Sequence, residues 1–306
     1  MITKKERFLG SMFLGAIGDA MGSGFENISK NPLDDKTFYP FGKPKFKLPE
    51  WRITDDTQLT IITCEALLKN QELKPELLSK YFIDYFSKGI IRGIGASTLK
   101  AFQELQIGMD WSQTGRRGEY AAGNGAAMRI APLAFFDTIT RNKIEEICSI
   151  THNNSEAYIG ALAIIISIKT ILNGNWLNNT SLLRLVADRL PSSNVRERIF
   201  ELSDLENNIS IIEAANKFGN NGYVVNSVPF CIFAASKIKN KHISFIFDEI
   251  IESEGDTDTN CSITGQICGA YLGIDEIPFL FKEKLEKLPE YDWLNTHVKR
   301  LAEKIL

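Results

Sequence analysis

Glu254-Gly255-Asp256-Thr257-Asp258-Thr259-Asn260 places two carboxylates one residue apart among hydroxyls, after a glycine and ahead of a helical stretch opening near Cys261. Such a run is poorly suited to a buried core. As a helix start it supplies caps, because Asp and Thr satisfy free backbone N–H groups and suit the positive end of the helix dipole. As a ligand set it suits a hard cation, since Mg²⁺ takes oxygen donors in near-octahedral geometry. Taken alone, the two readings carry equal weight.

Trp51-Arg52-Ile53-Thr54-Asp55-Asp56-Thr57-Gln58-Leu59 has the same character. Asp55 with Gln58 three residues on reads as a capping box. A cap needs one acid, however, and adjacent acids repel unless a cation neutralises them. Two such clusters in one chain point to a shared, dinuclear metal centre.

Working outward, Phe8 to Met21 is apolar and rich in small residues, and a helix containing so many glycines needs close packing to compensate for their low propensity. Asp19 lies inside this run, and Glu26 follows in a glycine-rich turn that a ligand can approach. Asn27 to Glu50, with four prolines, reads as a long irregular connection with a functional role. From Leu59 onward apolar residues recur at helical spacing, through Leu77–Phe86 and Leu99–Leu105, the latter opened by Gly93-Ile94-Gly95-Ala96-Ser97-Thr98. Ala122-Gly123-Asn124-Gly125-Ala126-Ala127-Met128-Arg129 reads as a small-residue loop starting another helix. There an anion can approach backbone N–H groups, or two helices can pack tightly. Thr151-His152-Asn153 precedes a long apolar helix from Ser155, and His152 alone reads as a structural residue. Helices are also expected at Leu182–Leu190, Val195–Leu205, Val224–Ile238, Ile243–Glu252 and Trp293–Leu306.

No alternating strand series, repeat or composition break is present, so residues 1–306 read as a single all-α domain. A net charge of −3 gives no bulk attraction to nucleic acid or to an anionic membrane. Five scattered cysteines read as reduced core thiols. Tyr158 to Leu172 is broken by Lys169 and shorter than the roughly 20 residues that span a bilayer. No signal-peptide pattern is evident, and a cytoplasmic location with no membrane partner is expected.

These motifs together resemble the ADP-ribosylglycohydrolase family. The resemblance rests on Gly15-Ala16-Ile17-Gly18-Asp19-Ala20-Met21-Gly22 with Glu26, Thr54-Asp55-Asp56-Thr57, Arg92-Gly93-Ile94-Gly95, Gly123-Asn124-Gly125-Ala126-Ala127-Met128-Arg129, Thr151-His152 and Gly255-Asp256-Thr257-Asp258-Thr259-Asn260. Each is weak alone, and their order across nearly the whole chain is what makes them specific. The chain departs from the family pattern near Asn220-Asn221-Gly222-Tyr223, where relatives place adenosine contacts.

The resemblance implies a compact all-α orthogonal helix bundle with two Mg²⁺ (or Mn²⁺) ions in a cleft. Thr54, Asp55, Asp56, Asp256, Asp258 and Thr259 would hold the metals. Gly93, Gly95, Gly123, Asn124, Gly125 and His152 would bind the diphosphate and ribose. Glu26, Asp55 and Asp256 are the catalytic candidates, one of them taking a proton from the attacking water. The implied reaction removes ADP-ribose from a modified protein side chain or a small ADP-ribosyl substrate. Arginine is the favoured linkage, with Asp34, Asp35 and Glu50 expected at the cleft rim near the departing guanidinium. The alternative is a non-catalytic immunity protein that binds and occludes an ADP-ribosylating toxin.

Overall fold

The computed structural model describes residues 2–26, 49–177 and 180–305. Among these, fourteen α-helices and three short 3-10 turns account for the regular structure, with no strand. In chain order the helices are α1 (Lys4–Gly22), α2 (Asp55–Lys69), α3 (Pro75–Ser87), α4 (Ala96–Gln106), α5 (Arg141–Ser149), α6 (Ser155–Leu172) and α7 (Leu182–Ala187). There follow α8 (Asn194–Leu205), α9 (Ile211–Phe218), α10 (Val224–Ser236), α11 (Ile243–Glu252), α12 (Thr257–Leu272), α13 (Phe279–Glu286) and α14 (Tyr291–Ala302).

The glycines of α1 find their compensation in α12. A Cβ on Gly10 would come within 2.3 Å of Gly269 O, one on Gly18 within 2.2 Å of Cys261 O, and one on Gly22 within 2.3 Å of Thr257 O. Gly265 in turn would meet Leu14 O at 2.3 Å. As α1 advances four residues, α12 retreats four, so the two helices run antiparallel with their backbones nearly touching. This register decides where the chemistry lies. It sets the C-terminal turn of α1, and Glu26 beyond it, beside the acidic first turn of α12. Thr257 seals the junction by donating its hydroxyl to Gly22 O at 2.9 Å.

The N-terminus of α1 is fixed by a capping box between Thr3 and Glu6. Buried apolar side chains from the helices form one contiguous cluster. By length and composition α6 is apolar enough to cross a membrane, but 72% of it is buried inside the bundle, the setting of a core helix.

Several local expectations are corrected. Residues 124–129 form tight turns leading into a 3-10 helix at Ala131–Phe135, so no α-helix starts at the small-residue loop. Asp55 and Gln58 do not make a capping box. Thr54 caps α2 by accepting from Asp56 N, while the Gln58 amide bridges Ile90 O and Arg92 N. The first α12 residue is Thr257 rather than one near Cys261. The C-terminal helix is Tyr291–Ala302, and α5, α9 and α13 were not singled out by periodicity.

Candidate active site

The acidic turn of α12 is wound tightly before the helix begins. Glu254 and Gly255 both adopt positive φ, 58° and 81°. The glycine is required there because a Cβ would come within 2.4 Å of Asn220 Oδ1. Asn220 clamps the turn from outside: its side-chain amide donates to Glu254 O at 2.7 Å, and its carbonyl accepts from Asn260 Nδ2 at 2.6 Å. Asp256 stands at the N-cap of α12 without making a side-chain cap. Its Oδ2 instead accepts from Asn124 Nδ2 at 2.7 Å.

The α2 acids are fixed from beneath by Asp19, which is completely buried. Its carboxylate accepts from the backbone N–H and hydroxyl of both Thr54 and Thr57. Burial pushes its pKa up to about 6 in spite of those bonds. Asp19 therefore shapes the first turn of α2 while Asp55 and Asp56 point onward. Thr54, expected as a ligand, spends its hydroxyl hydrogen on Asp19 at 2.8 Å and stands behind Asp56, off the cavity surface.

The two acidic helix starts meet across one cavity of about 690 Å³. Its lining includes the acidic group Glu26, Asp55, Asp56, Asp256 and Asp258 with Thr259, and a second group, Gly93, Gly95, Gly123, Asn124, Gly125 and His152. The two meet where Gly93 lies beside Asp55 and Asn124 bonds Asp256. Of the residues singled out from sequence as metal-ligating, catalytic or substrate-binding, Thr54 alone is missing from that surface. Asp34 and Asp35 lie outside the described residues, and Glu50 borders a different cavity beside Trp51 and Lys284.

Thr259 donates its hydroxyl to Asp56 Oδ2 at 3.1 Å, joining the clusters across 203 residues of chain. Asp56 Oδ1 is buried with no hydrogen-bond partner. Burial, and then the charge of Asp258, pushes the Asp56 carboxyl up. Asp258 is raised by burial and by Asp256, and Asp55 by burial and by Asp19. No described Lys, Arg or His forms an ion pair with any of these acids. As the side chains stand, no three His, Cys, Asp or Glu groups among the described residues converge closely enough to hold a metal ion.

The second wall offers donors. Helix α4 starts after Gly95 with no side-chain cap, and Gly95, Ala96, Ser97 and Thr98 all line the cavity. The Gly95 N–H is directed at the Asp55 carboxylate, and those of Ala96, Ser97 and Thr98 belong to a first turn whose N–H groups have no partner within the helix. Gly123 and Gly125 leave room for His152: a Cβ at either would come within 3.2 Å of its ring. Burial, followed by the charges of Arg129 and Arg116, pushes His152 down to about 3, so it is neutral at pH 7. Gly222 completes the rim, accepting from Asn124 N at 3.1 Å.

Asp19, Asn220, Ser97 and Thr98 stand in stretches noted from the sequence, yet none was assigned to the site. An acid in an apolar run signalled Asp19. Nothing local distinguished the others.

The sequence profile of the ADP-ribosylglycohydrolase family matches residues 1–306. The chain belongs to that family. Family relatives include ADP-ribosylhydrolase ARH3 of Gallus gallus, 25% identical over 93% of this chain and 90% of that protein. ADP-ribosylarginine hydrolase Tri1 of Pseudomonas putida (strain GB-1) is 23% identical over 98% of this chain and 78% of its own length. The fold matches that of a solved ADP-ribosylglycohydrolase-related protein complex with a TM-score of 0.72, at 22% identity over 99% of both chains.

Proposed function

We propose that this ADP-ribosylglycohydrolase hydrolyses the glycosidic bond between ADP-ribose and a modified protein side chain, with arginine as acceptor. The observation that carries this reading is one cavity lined by clustered carboxylate acceptors and by an adjoining group of donors. A ligand with vicinal hydroxyls at one end and a diphosphate at the other is complementary to both. The volume falls within the roughly 300–1,000 Å³ typical of small-molecule sites.

The donor set suits Mg²⁺ or Mn²⁺ in its chemistry, though its carboxylates do not converge as they stand. It consists of carboxylate and hydroxyl oxygens, and the partnerless Asp56 Oδ1 is a buried acceptor in want of a positive partner. Asp55, Asp56, Asp256, Asp258 and Thr259 would hold two such ions, with Thr54 supporting Asp56 from behind. When bound, the metals supply charge stabilisation and lower the pKa of a coordinated water. The other parts of the mechanism belong to the chain. The α4 start, the Gly123–Gly125 turn and His152 bind and orient the diphosphate. Asn124, held to both Asp256 and Gly222, keeps the two walls at a fixed spacing. Glu26, exposed at the rim, takes the proton of the attacking water, with Asp55 or Asp256 in that role if Glu26 proves dispensable.

Similarity to ADP-ribosylarginine hydrolase Tri1 supports the arginine linkage. The exposed Glu26 carboxylate also complements a guanidinium leaving the anomeric carbon. The test offers purified protein two substrates, one ADP-ribosylated on arginine and one on serine, with Mg²⁺ or with EDTA. Metal-dependent ADP-ribose release from the arginine substrate is expected. Release from serine alone would overturn the linkage. Release from neither would favour a binding protein that occludes an ADP-ribosylating toxin.

A further inference from the structure

Arg129 is the largest side chain that the fold buries completely. Among the described residues no carboxylate pairs with it. Its guanidinium lies over the Phe82 ring at 4.9 Å. Nη2 donates to Ile147 O at 3.1 Å and to Thr151 Oγ1 at 3.0 Å, whereas Nε and Nη1 have no acceptor. Burial pushes its pKa down only to about 10, so the group stays charged at neutral pH. An uncompensated buried cation is destabilising, and the bonds that Arg129 does make lead toward the cavity.

Thr151 Oγ1 lies 2.9 Å from His152 Nδ1. Arginine has no acceptor atom, so it always donates to that hydroxyl. The single hydrogen of Thr151 then finds its acceptor in Nδ1, and the ring hydrogen is left on Nε2. The reverse polarity would give the hydroxyl oxygen two donors and leave its own hydrogen unused. Nε2 belongs to the ring edge facing the small-residue turn, 3.1 Å from where a Cβ on Gly123 would stand and 3.2 Å from one on Gly125. The charge of Arg129 also opposes a second proton on the ring.

We propose that Arg129 is a positioning residue which, through the Thr151 hydroxyl, holds His152 as its uncharged Nε2–H tautomer and so fixes a hydrogen-bond donor into the cavity. The oxygen that receives this bond, on phosphate or ribose, rests on the ADP-ribose reading above. The tautomer does not.

Nitrogen NMR of histidine-labelled protein tests it directly. The chain has three histidines, and a His152→Gln spectrum assigns the ring in question. The wild-type protein and Thr151→Ser should show the Nε2–H form, while Thr151→Val and Arg129→Met should show Nδ1–H or a mixture. Affinity for ADP-ribose should fall roughly tenfold in Thr151→Val and Arg129→Met, the loss of one hydrogen bond of about 1.4 kcal/mol, and recover in Thr151→Ser. An Nδ1–H ring in the wild type, or an unchanged tautomer in Thr151→Val, overturns the proposal. Should Arg129→Met fail to fold, Thr151→Val decides. Should no protein bind ADP-ribose, the functional reading falls, and the tautomer comparison still decides this one.

Discussion

The two walls of the cavity are made from opposite halves of the hydrogen bond. On one, Asp55, Asp56, Asp256 and Asp258 present acceptors that crowd one another, and Asp56 Oδ1 lacks any donor. On the other, the start of α4, the Gly123–Gly125 turn and a neutral histidine present donors, with Asp55 at the border where it meets Gly93 and Gly95. The acid wall is held by side-chain bonds from behind, chiefly Asp19 on the threonines of α2. On the donor wall Gly123 and Gly125 are small because the His152 ring packs against them. On the function proposed above, the acid wall would take a cation and the donor wall an anion, and each should fail under a different perturbation.

The largest effect is expected on the acid wall. Asp258→Asn should abolish the rise in melting temperature on adding Mg²⁺ and lower hydrolysis by roughly 10²–10³-fold, the scale of losing one electrostatic stabiliser. In EDTA the sign reverses. Removing one of several mutually repelling buried carboxylates should raise the melting temperature above that of the wild type. Thermal melts in both conditions check this, and a variant destabilised equally in both would show that Asp258 is only a helix-start residue.

Gly125→Val addresses the donor wall alone. A Cβ there would come within 2.8 Å of His152 Cε1 and 3.3 Å of Thr98 Oγ1. Overpacking of about 1–3 kcal/mol corresponds to a loss of ADP-ribose affinity on the order of ten- to a hundredfold. The Mg²⁺ response of the melt should persist. Calorimetry with ADP-ribose measures the first, and loss of both responses together would mean that the walls are not separable.

Asn124→Ala removes the side-chain half of the tie between them and leaves the backbone half in place. Its amide holds Asp256 Oδ2 at 2.7 Å, and its backbone N–H holds Gly222 O. Outer-sphere partners of this kind are typically worth ten- to a hundredfold in metal affinity or activity. A loss of about tenfold in both Mg²⁺ and ADP-ribose affinity is expected, measured by titration of each. A deficit confined to one ligand would move Asn124 wholly to that wall.

How much of this was legible in the sequence follows the same division. The fold class and family were legible because α1, α2 and α12 carry their signals locally, as glycine spacing and acid pairs at helix starts. The acid wall was legible for the same reason. The donor wall was only half legible. Gly93 and Gly95 were read as opening the helix that they do open, whereas Gly123 and Gly125 were expected at a helix start and residues 124–129 are turns. Whether a glycine run becomes a turn or a helix depends on what packs against it, here His152 and the Gly222 carbonyl, about 30 and 100 residues away in sequence. Asn220 was named only within the stretch that departs from the family pattern, and its part in the acidic turn was hidden for the same reason. Its role is to clamp Glu254 and Gly255 from another segment, and no local pattern announces it.

The smallest effect concerns pH and the neutral histidine. In the folded chain His152 is held down to about 3 by burial and by the charges of Arg129 and Arg116, whereas an unfolded histidine titrates near 6.5. As pH falls below about 6.5 the unfolded chain takes up a proton that the folded chain refuses, so His152 costs stability toward acid, down to its folded pKa. The crowded carboxylates act with the opposite sign, because their raised values let the folded chain bind protons first. A single melt therefore mixes the two walls. Comparing His152→Gln with the wild type removes the carboxylate contribution, since both proteins carry it. Between pH 7 and pH 5.5 the wild type should lose about 1 kcal/mol more than the variant, from the titration of one unfolded histidine. Denaturant unfolding at the two pH values measures it. Parallel losses in the two proteins would mean that His152 titrates normally in the folded state, and the donor wall would then carry a positive charge of its own in mild acid.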